Sequence, residues 1–321
     1  MNLKYLFKTG ILMLSMGLLV SCSDDEDDLG PGDPDAQTYE TQVYLTDSPV
    51  DNAEVQGVFV TVSSVMINGQ AVEGFEKTTI ELSSLHSGQT ELLGSLNLES
   101  GTTSDIALVL DNDTDASGEA PGNYVLTTSG EKKALVSGSN ELNLSDNVEI
   151  HESNDNQVVL DFDLRKAVVT DESGEYSFAS NSRLSNSIRA VNSIKTGTIT
   201  GNVSDFGTTD ADAVLVYAYE AGTYSESETS ADAEGLRFAN AVNSTVVAET
   251  NGDFELHFIE EGDYELHFAS YEDTDADGRL EFEGELEAVT AADVESNLLD
   301  LSVDANTELN LEVVIIGLLN L

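Results

Sequence analysis

The chain has 321 residues, 61 of them acidic and 12 basic, for a formal net charge of −49. That charge excludes nucleic acid as a partner, because binding it requires Lys and Arg to neutralise phosphates; anionic lipid headgroups would repel the same surface, and self-repulsion calls for screening by salt or divalent cations. One cysteine, Cys22, leaves no disulfide framework, while about 300 residues beyond it are enough for two domains, kept soluble and monomeric by their carboxylates.

Lys4 and Lys8 give a positive start, and Leu6 to Val20 supply an apolar stretch. The stretch is shorter than the roughly 20 residues of a membrane span and has the layout of a secretory signal peptide. It ends in Leu19-Val20-Ser21-Cys22, which resembles the lipobox of bacterial lipoproteins. That resemblance implies removal of residues 1–21 and acyl chains, palmitate among them, on Cys22; the other reading is an ordinary thiol in a cleaved signal. Residues 22–38 read as an acidic flexible tether. Their run Ser23-Asp24-Asp25-Glu26-Asp27-Asp28 resembles the export signal of Bacteroidetes lipoproteins, which implies the outer face of the outer membrane; the alternative is a solvated linker.

Past the tether, apolar and polar residues alternate and no long helical period occurs. The expected fold is all-β, with two β-sandwich domains at 39–192 and 193–321. Strands are predicted at 41–45, 55–62, 106–110 and 158–164, with short helical turns at 80–85 and 291–299. Val43-Tyr44-Leu45-Thr46-Asp47-Ser48-Pro49, Val58-Phe59-Val60-Thr61-Val62 and Leu160-Asp161-Phe162-Asp163-Leu164-Arg165-Lys166 together resemble the family named domain of unknown function forty-three eighty-two, over roughly residues 39 to 190. That family lends a location and an architecture but no activity.

Gly197-Thr198-Ile199-Thr200-Gly201-Asn202-Val203, Ala213 to Tyr219 and Asn251 to Phe268 resemble the carboxypeptidase-regulatory-like domains, which implies a transthyretin-type sandwich acting as spacer or stabiliser. Phe254, Leu256 and Phe258 alternate, as do Tyr264, Leu266 and Phe268, and Gly262 lies between them. A hairpin with one apolar face is expected. The acidic insert Glu220 to Asn240 departs from the family, and Leu311 to Leu319 read as a buried final strand.

The sharpest candidate site is Asp273-Thr274-Asp275-Ala276-Asp277-Gly278-Arg279-Leu280-Glu281. Alternate carboxylates with glycine at the sixth place match the start of a calcium loop. Gly284 stands where an EF-hand needs its twelfth-position Glu, so the expected site is a sandwich loop, with Asp273, Asp275, Asp277, Glu281 and the carbonyl of Arg279 as ligands. A solvated acidic turn is the alternative. Asp111-Asn112-Asp113-Thr114-Asp115 is a weaker echo, read as a solvated loop. Asp161 and Asp163 share a strand face and form an alternative acid–base or metal site, with Arg165 on the same face as a ready ion-pair partner. His257 and His267 are expected on outward faces beside glutamates. Tyr217 and Tyr219 make one strand face tyrosine-rich, suited either to a glycan or to packing. No nucleophile elbow, zinc-protease helix, phosphate loop or dinucleotide fingerprint occurs.

The sequence therefore predicts a non-enzymatic, lipid-anchored envelope protein on the cell surface, stabilised by calcium and binding an extracellular glycan or protein. An unrecognised hydrolase and a purely structural spacer are the competing classes.

Overall fold

Alternating side chains give each strand one face to bury, and strands dominate the protein, described by a computed structural model over residues 37–48, 55–103, 105–171, 174–204, 211–275, 280–291 and 298–319. Cys22, the signal segment and the tether up to residue 36 lie outside the described residues; Thr38, placed in the tether from sequence, already pairs with Glu99. The fold is all-β: α-helix is limited to Leu164–Ala167 and Asn181–Asn186 among the described residues. The turn expected at 80–85 is the 3-10 helix Leu82–Ser84, and 292–297 lie outside the described residues.

Two sheets enclose the first core. One runs Ile188–Asn192, Asn156–Asp163, Thr38–Ser48, Glu91–Glu99 in spatial order, and the other is built around the long strand Val55–Ile67. Val43, Leu45, Val60, Leu108, Leu160 and Phe162 are among the side chains they bury. Thr38–Ser48 pairs in parallel with Asn156–Asp163, so Thr46 stands beside Asp161.

The second core is wrapped by one sheet of eight strands, in the order Asn243–Val246, Ala213–Glu220, Gly262–Glu272, Glu281–Thr290, Glu308–Leu318, Thr196–Val203, Asp253–Glu260, with Leu301–Val303 also on Gly262–Glu272. Its two edges return toward each other, where Asn243 Nδ2 donates 2.9 Å to the carbonyl of His257. Ile199, Val216, Phe254, Leu266, Phe268 and Val313 fill the interior. Glu308–Leu318 buries Leu311, Val313 and Ile315 on one face and leaves Ile316 exposed on the other.

The expected hairpin is absent. Asp253–Glu260 pairs with Thr196–Val203, whereas Gly262–Glu272 pairs with Ala213–Glu220, so the chain crosses the core at Glu261 and the two apolar faces meet across it, with Phe254 and Phe268 edge to face. Phe258 departs from the alternation as well. It adopts φ +55° at a break in the register, and Ile259 takes the buried position instead. Two apolar runs around a glycine specify strand faces but not which strands pair.

Ala213–Glu220 and Gly262–Glu272 are buried on both faces. The insert Glu220 to Asn240 folds over their outer side, where Phe238 stacks on Tyr217 at 4.1 Å and packs with Tyr219 and Tyr271. The tyrosine-rich face is thus a third core cluster: Tyr217 and Tyr219 are fully buried.

Candidate functional site

Asp161 and Asp163 lie where the two cores meet. Strand alternation puts both on one face, and antiparallel register sets Arg189 opposite Asp161, whose Oδ2 accepts from Arg189 Nη2 at 2.8 Å. Asp163 caps the short helix Leu164–Ala167 by accepting from the Lys166 backbone N–H, and its Oδ2 lies 2.9 Å from Arg165 Nη2 and 3.4 Å from Lys166 Nζ. Burial alone would raise the Asp163 pKa, but Arg165 and Lys166 outweigh it and hold the carboxyl below its usual range; burial pushes Lys166 down.

The same cations reach past the first core to the insert region and to one strand of the second core. Arg165 Nη1 donates to the carbonyls of Arg237 and Phe238 at 2.9 and 3.1 Å, Lys166 Nζ to that of Ala241 at 2.8 Å, and Arg189 Nη1 to that of Phe258 at 2.8 Å. Phe238 and Phe258 both have positive φ; Phe258 sits at the register break in its strand, and Phe238 in the insert outside any strand. Arg183 adds ion pairs to Asp232 and Glu234 of the insert. Sequence offered a signal for this joint: five of the 12 basic residues, Arg165, Lys166, Arg183, Arg189 and Lys195, fall within 31 positions of a chain otherwise poor in cations. A cavity of 280 Å³ opens beside them, between Asp146, Asp161, Lys166, Arg189 and Asn240. A larger polar cleft of 780 Å³ lies between Glu149, His151, Lys195, Glu220, Glu260 and Tyr264. Burial, then Asp146 and Glu220, raise the Glu260 pKa against Arg189, and burial pushes the Tyr264 phenol up to about 12.

In the acidic loop, carboxylate oxygens of Asp273, Asp275 and Glu281 lie within 4.8 Å of one another. Glu281 Oε2 accepts from the backbone N–H and hydroxyl of Thr274, both at 2.9 Å. These three can offer oxygens to a hard cation; Asp277 and Arg279, the other expected ligands, lie outside the described residues. The echo in the first core is filled by protein cations. Lys77 Nζ lies 2.6 Å from Asp111 Oδ2 and also reaches Thr114. Asp115 is held at about 2 by the Ser117 hydroxyl, the Glu119 N–H and Lys132.

His257 is half-buried and 3.0 Å from Glu255, as the sequence suggests, but His267 is not on an outward solvent face. It is 8% exposed, with Nδ1 2.7 Å from Glu285 Oε1 and Nε2 3.7 Å from Glu265 Oε2. Tyr224 of the insert covers it, rings stacked at 3.6 Å, while Glu265 Oε1 accepts from the N–H groups of Gly222 and Tyr224. The cluster clips the insert to the sheet. Sequence reasoning missed it because its covering element is the segment without a strand pattern.

The described fold is thus an all-β protein with two main cores joined by hydrogen bonds from ion-paired Arg and Lys side chains of the first to backbone carbonyls beyond residue 236. Residues 40–180 match the family described as Domain of unknown function (DUF4382). No curated protein matches the chain. Among solved structures, a leucine-rich repeat protein from Bacteroides thetaiotaomicron is similar at 12% identity and TM-score 0.20, over 85% of this chain and 26% of that one, so the chain spans about a quarter of its length. BcpA, the major pilin subunit of Bacillus cereus, gives 12% identity and TM-score 0.20 over 87% and 70% of the two chains. A B repeat unit of the collagen binding surface protein of Staphylococcus aureus gives 11% and 0.19 over 88% and 100%. Among the described residues, no helix is long and apolar enough to cross a membrane.

Proposed function

We propose that the protein is a non-catalytic binding or accessory module of the cell envelope, held to the outer membrane by acyl chains on Cys22 and displayed on the cell surface. Its two units are the sandwiches 39–192 and 193–321, the second a carboxypeptidase-regulatory-like spacer. One observation carries the non-catalytic part. Asp161 and Asp163, the carboxylate pair best spaced for acid–base work, are engaged by Arg189, Arg165 and Lys166, and those cations also grip backbone carbonyls of the insert region and of the second core's strand at Phe258. Such a face is built to hold two domains in one orientation, which suits a display module. The lipobox-like Leu19-Val20-Ser21-Cys22 and the acidic run behind it support the address.

Calcium is the proposed stabilising ion, bound by Asp273, Asp275 and Glu281 together with Asp277 and the Arg279 carbonyl. A glycan array and whole-cell capture, run beside activity profiling, test the function: a ligand without turnover supports it. Turnover abolished by Asp161→Asn would overturn it. Cys22→Ser tests the anchor, with release from the detergent phase expected and retention counting against lipidation.

A further inference from the structure

Arg237 stands apart in a chain of 61 acidic and 12 basic residues. Every other Lys and Arg among the described residues lies within 3.6 Å of a carboxylate. Arg237 has no such partner there. Its Nη1 donates to the carbonyl of Thr229, and its guanidinium lies over the Phe282 ring, 4.7 Å from the centroid. The opposite edge of the plane, where the N–H groups of Nε and Nη2 point the same way, makes no hydrogen bond. Arg237 is half-buried, and neither of these nitrogens is enclosed.

Arg237 lines a cavity of 240 Å³ where Val168–Thr170 of the first unit, the insert and the outer side of the second sheet meet. The volume matches about eight waters at roughly 30 Å³ each and falls just short of the roughly 300 Å³ at which drug-sized pockets begin. Val168, Val169, Leu280 and Phe282 form apolar walls and are only half-buried, so protein does not close over them. Arg165 and Arg183 also line the space, but both are committed, the first to Asp163 at 2.9 Å and the second to Asp232 and Glu234. Glu234, the one carboxylate on the lining, is thereby taken up as well.

The lining selects its occupant by chemistry. Two parallel N–H groups on one guanidinium edge match the two oxygens of a carboxylate in a bidentate pair, and the aromatic stack holds that fork in place. The apolar walls offer nothing to the further oxygens of phosphate or sulfate, and an amine would meet Arg237 as a like charge. The formal charge of −49 repels anions at range, but in about 0.15 M salt that field is screened beyond about 8 Å, which leaves contact at the fork to decide.

We infer that this cavity binds a small monocarboxylate, Arg237 clasping the carboxylate while a single ring or short aliphatic body lies against Val169, Leu280 and Phe282. The assignment names a ligand class for the binding-module reading on which it rests. No bond is made or broken.

The test titrates the full chain, in detergent and about 0.15 M salt, with benzoate, phenylacetate and hexanoate by calorimetry and saturation-transfer NMR. Benzyl alcohol, benzylamine and inorganic phosphate are the controls. At least one carboxylate is expected to bind with Kd on the order of 1 mM, as suits a ligand of its size, and the controls at least about tenfold more weakly. Arg237→Lys keeps the charge and loses the fork, so binding should weaken about tenfold. Because Arg237 also holds the Thr229 carbonyl, Thr170→Glu on the half-buried wall is the second variant: its like charge should abolish binding with an unchanged melting temperature. No carboxylate binding, phosphate or benzyl alcohol binding as tightly as benzoate, or binding that survives both substitutions overturns the assignment. Should the carboxylates fail while a surface ligand is still captured without turnover, the cavity assignment falls and the module reading stands. Conversion of a bound carboxylate would instead overturn the non-catalytic reading.

Discussion

Arg189 donates from Nη1 to the carbonyl of Phe258 at 2.8 Å, and Phe258 is held at φ +55° in the facing core. A left-handed phenylalanine costs about 1–3 kcal/mol and persists only where surrounding contacts fix it. The guanidinium does so while neutralising Asp161. Arg189→Ala strands a buried carboxylate, so a loss of about 3 kcal/mol is expected, read by urea unfolding. Asp161→Ala with Arg189→Ala should recover part of it, giving a clear coupling term; strictly additive losses would contradict a paired joint.

Tyr224 fastens the insert by ring, backbone and hydroxyl at once. Burial first, then the hydrogen bond to Glu285, raises its phenol pKa, so it remains a donor at every physiological pH. Tyr224→Phe should cost about 1–2 kcal/mol by leaving Glu285 one donor short. Tyr224→Ala should speed amide hydrogen exchange at Gly222 and its neighbours while Val58 and Leu108 keep their protection. Uniform acceleration would show that the insert is part of the global core.

Calcium should raise the melting temperature, because an ion bound only by the folded state stabilises it by mass action. Asp275→Ala should remove most of the increment, since the described cluster then keeps only Asp273 and Glu281. An increment that survives this change assigns the ion elsewhere.

Acid should loosen the joint. Arg165 and Lys166 hold the folded Asp163 carboxyl below the ordinary aspartate range, so its contribution is complete above the unfolded-state pKa and is lost as pH falls through the lower, folded one. Melting temperature should therefore drop below about pH 4, and Asp163→Asn should flatten that part of the profile. A slope unchanged by the substitution would place the acid sensitivity in other carboxylates.

Gly252 turns the chain at φ +78°, where an added Cβ would lie 2.3 Å from the carbonyl oxygen of Val203. Gly252→Ala should cost about 2 kcal/mol through strain at a special backbone position. A thermal shift close to zero would mean that the turn relaxes freely.

Strand positions were legible because period-2 alternation is local: Thr41 to Leu45 and Ile106 to Leu110 fall inside observed strands. Pairing was not, because the same apolar face at Phe254 and Leu256 serves a hairpin or a face-to-face contact equally well. Tyrosine is ambiguous in the same way, with an apolar body and a polar tip. Tyr217 resolves it inside the core, its hydroxyl 2.7 Å from that of Tyr271. Of the sites, Arg165 on the Asp163 face was readable from spacing, whereas Arg189 reaches Asp161 only through tertiary pairing across 28 residues. His267 looked outward by parity; only the insert, which carries no period, makes that outward face an interior one.

The parallel ladders have a consequence for assembly. Thr38–Ser48 waits for Asn156–Asp163, and Thr196–Val203 waits for Glu308–Leu318, so each unit's opening strand is matched by a partner more than a hundred residues downstream. Such distant closure is entropically expensive and slow. A chain delivered amino end first can pair each opening strand on one side early, with Glu91–Glu99 and with Asp253–Glu260, but must leave its other edge open until the late strand arrives, so a nascent fragment stopped before residue 308 carries Thr196–Val203 with one raw edge available to chaperones or proteases.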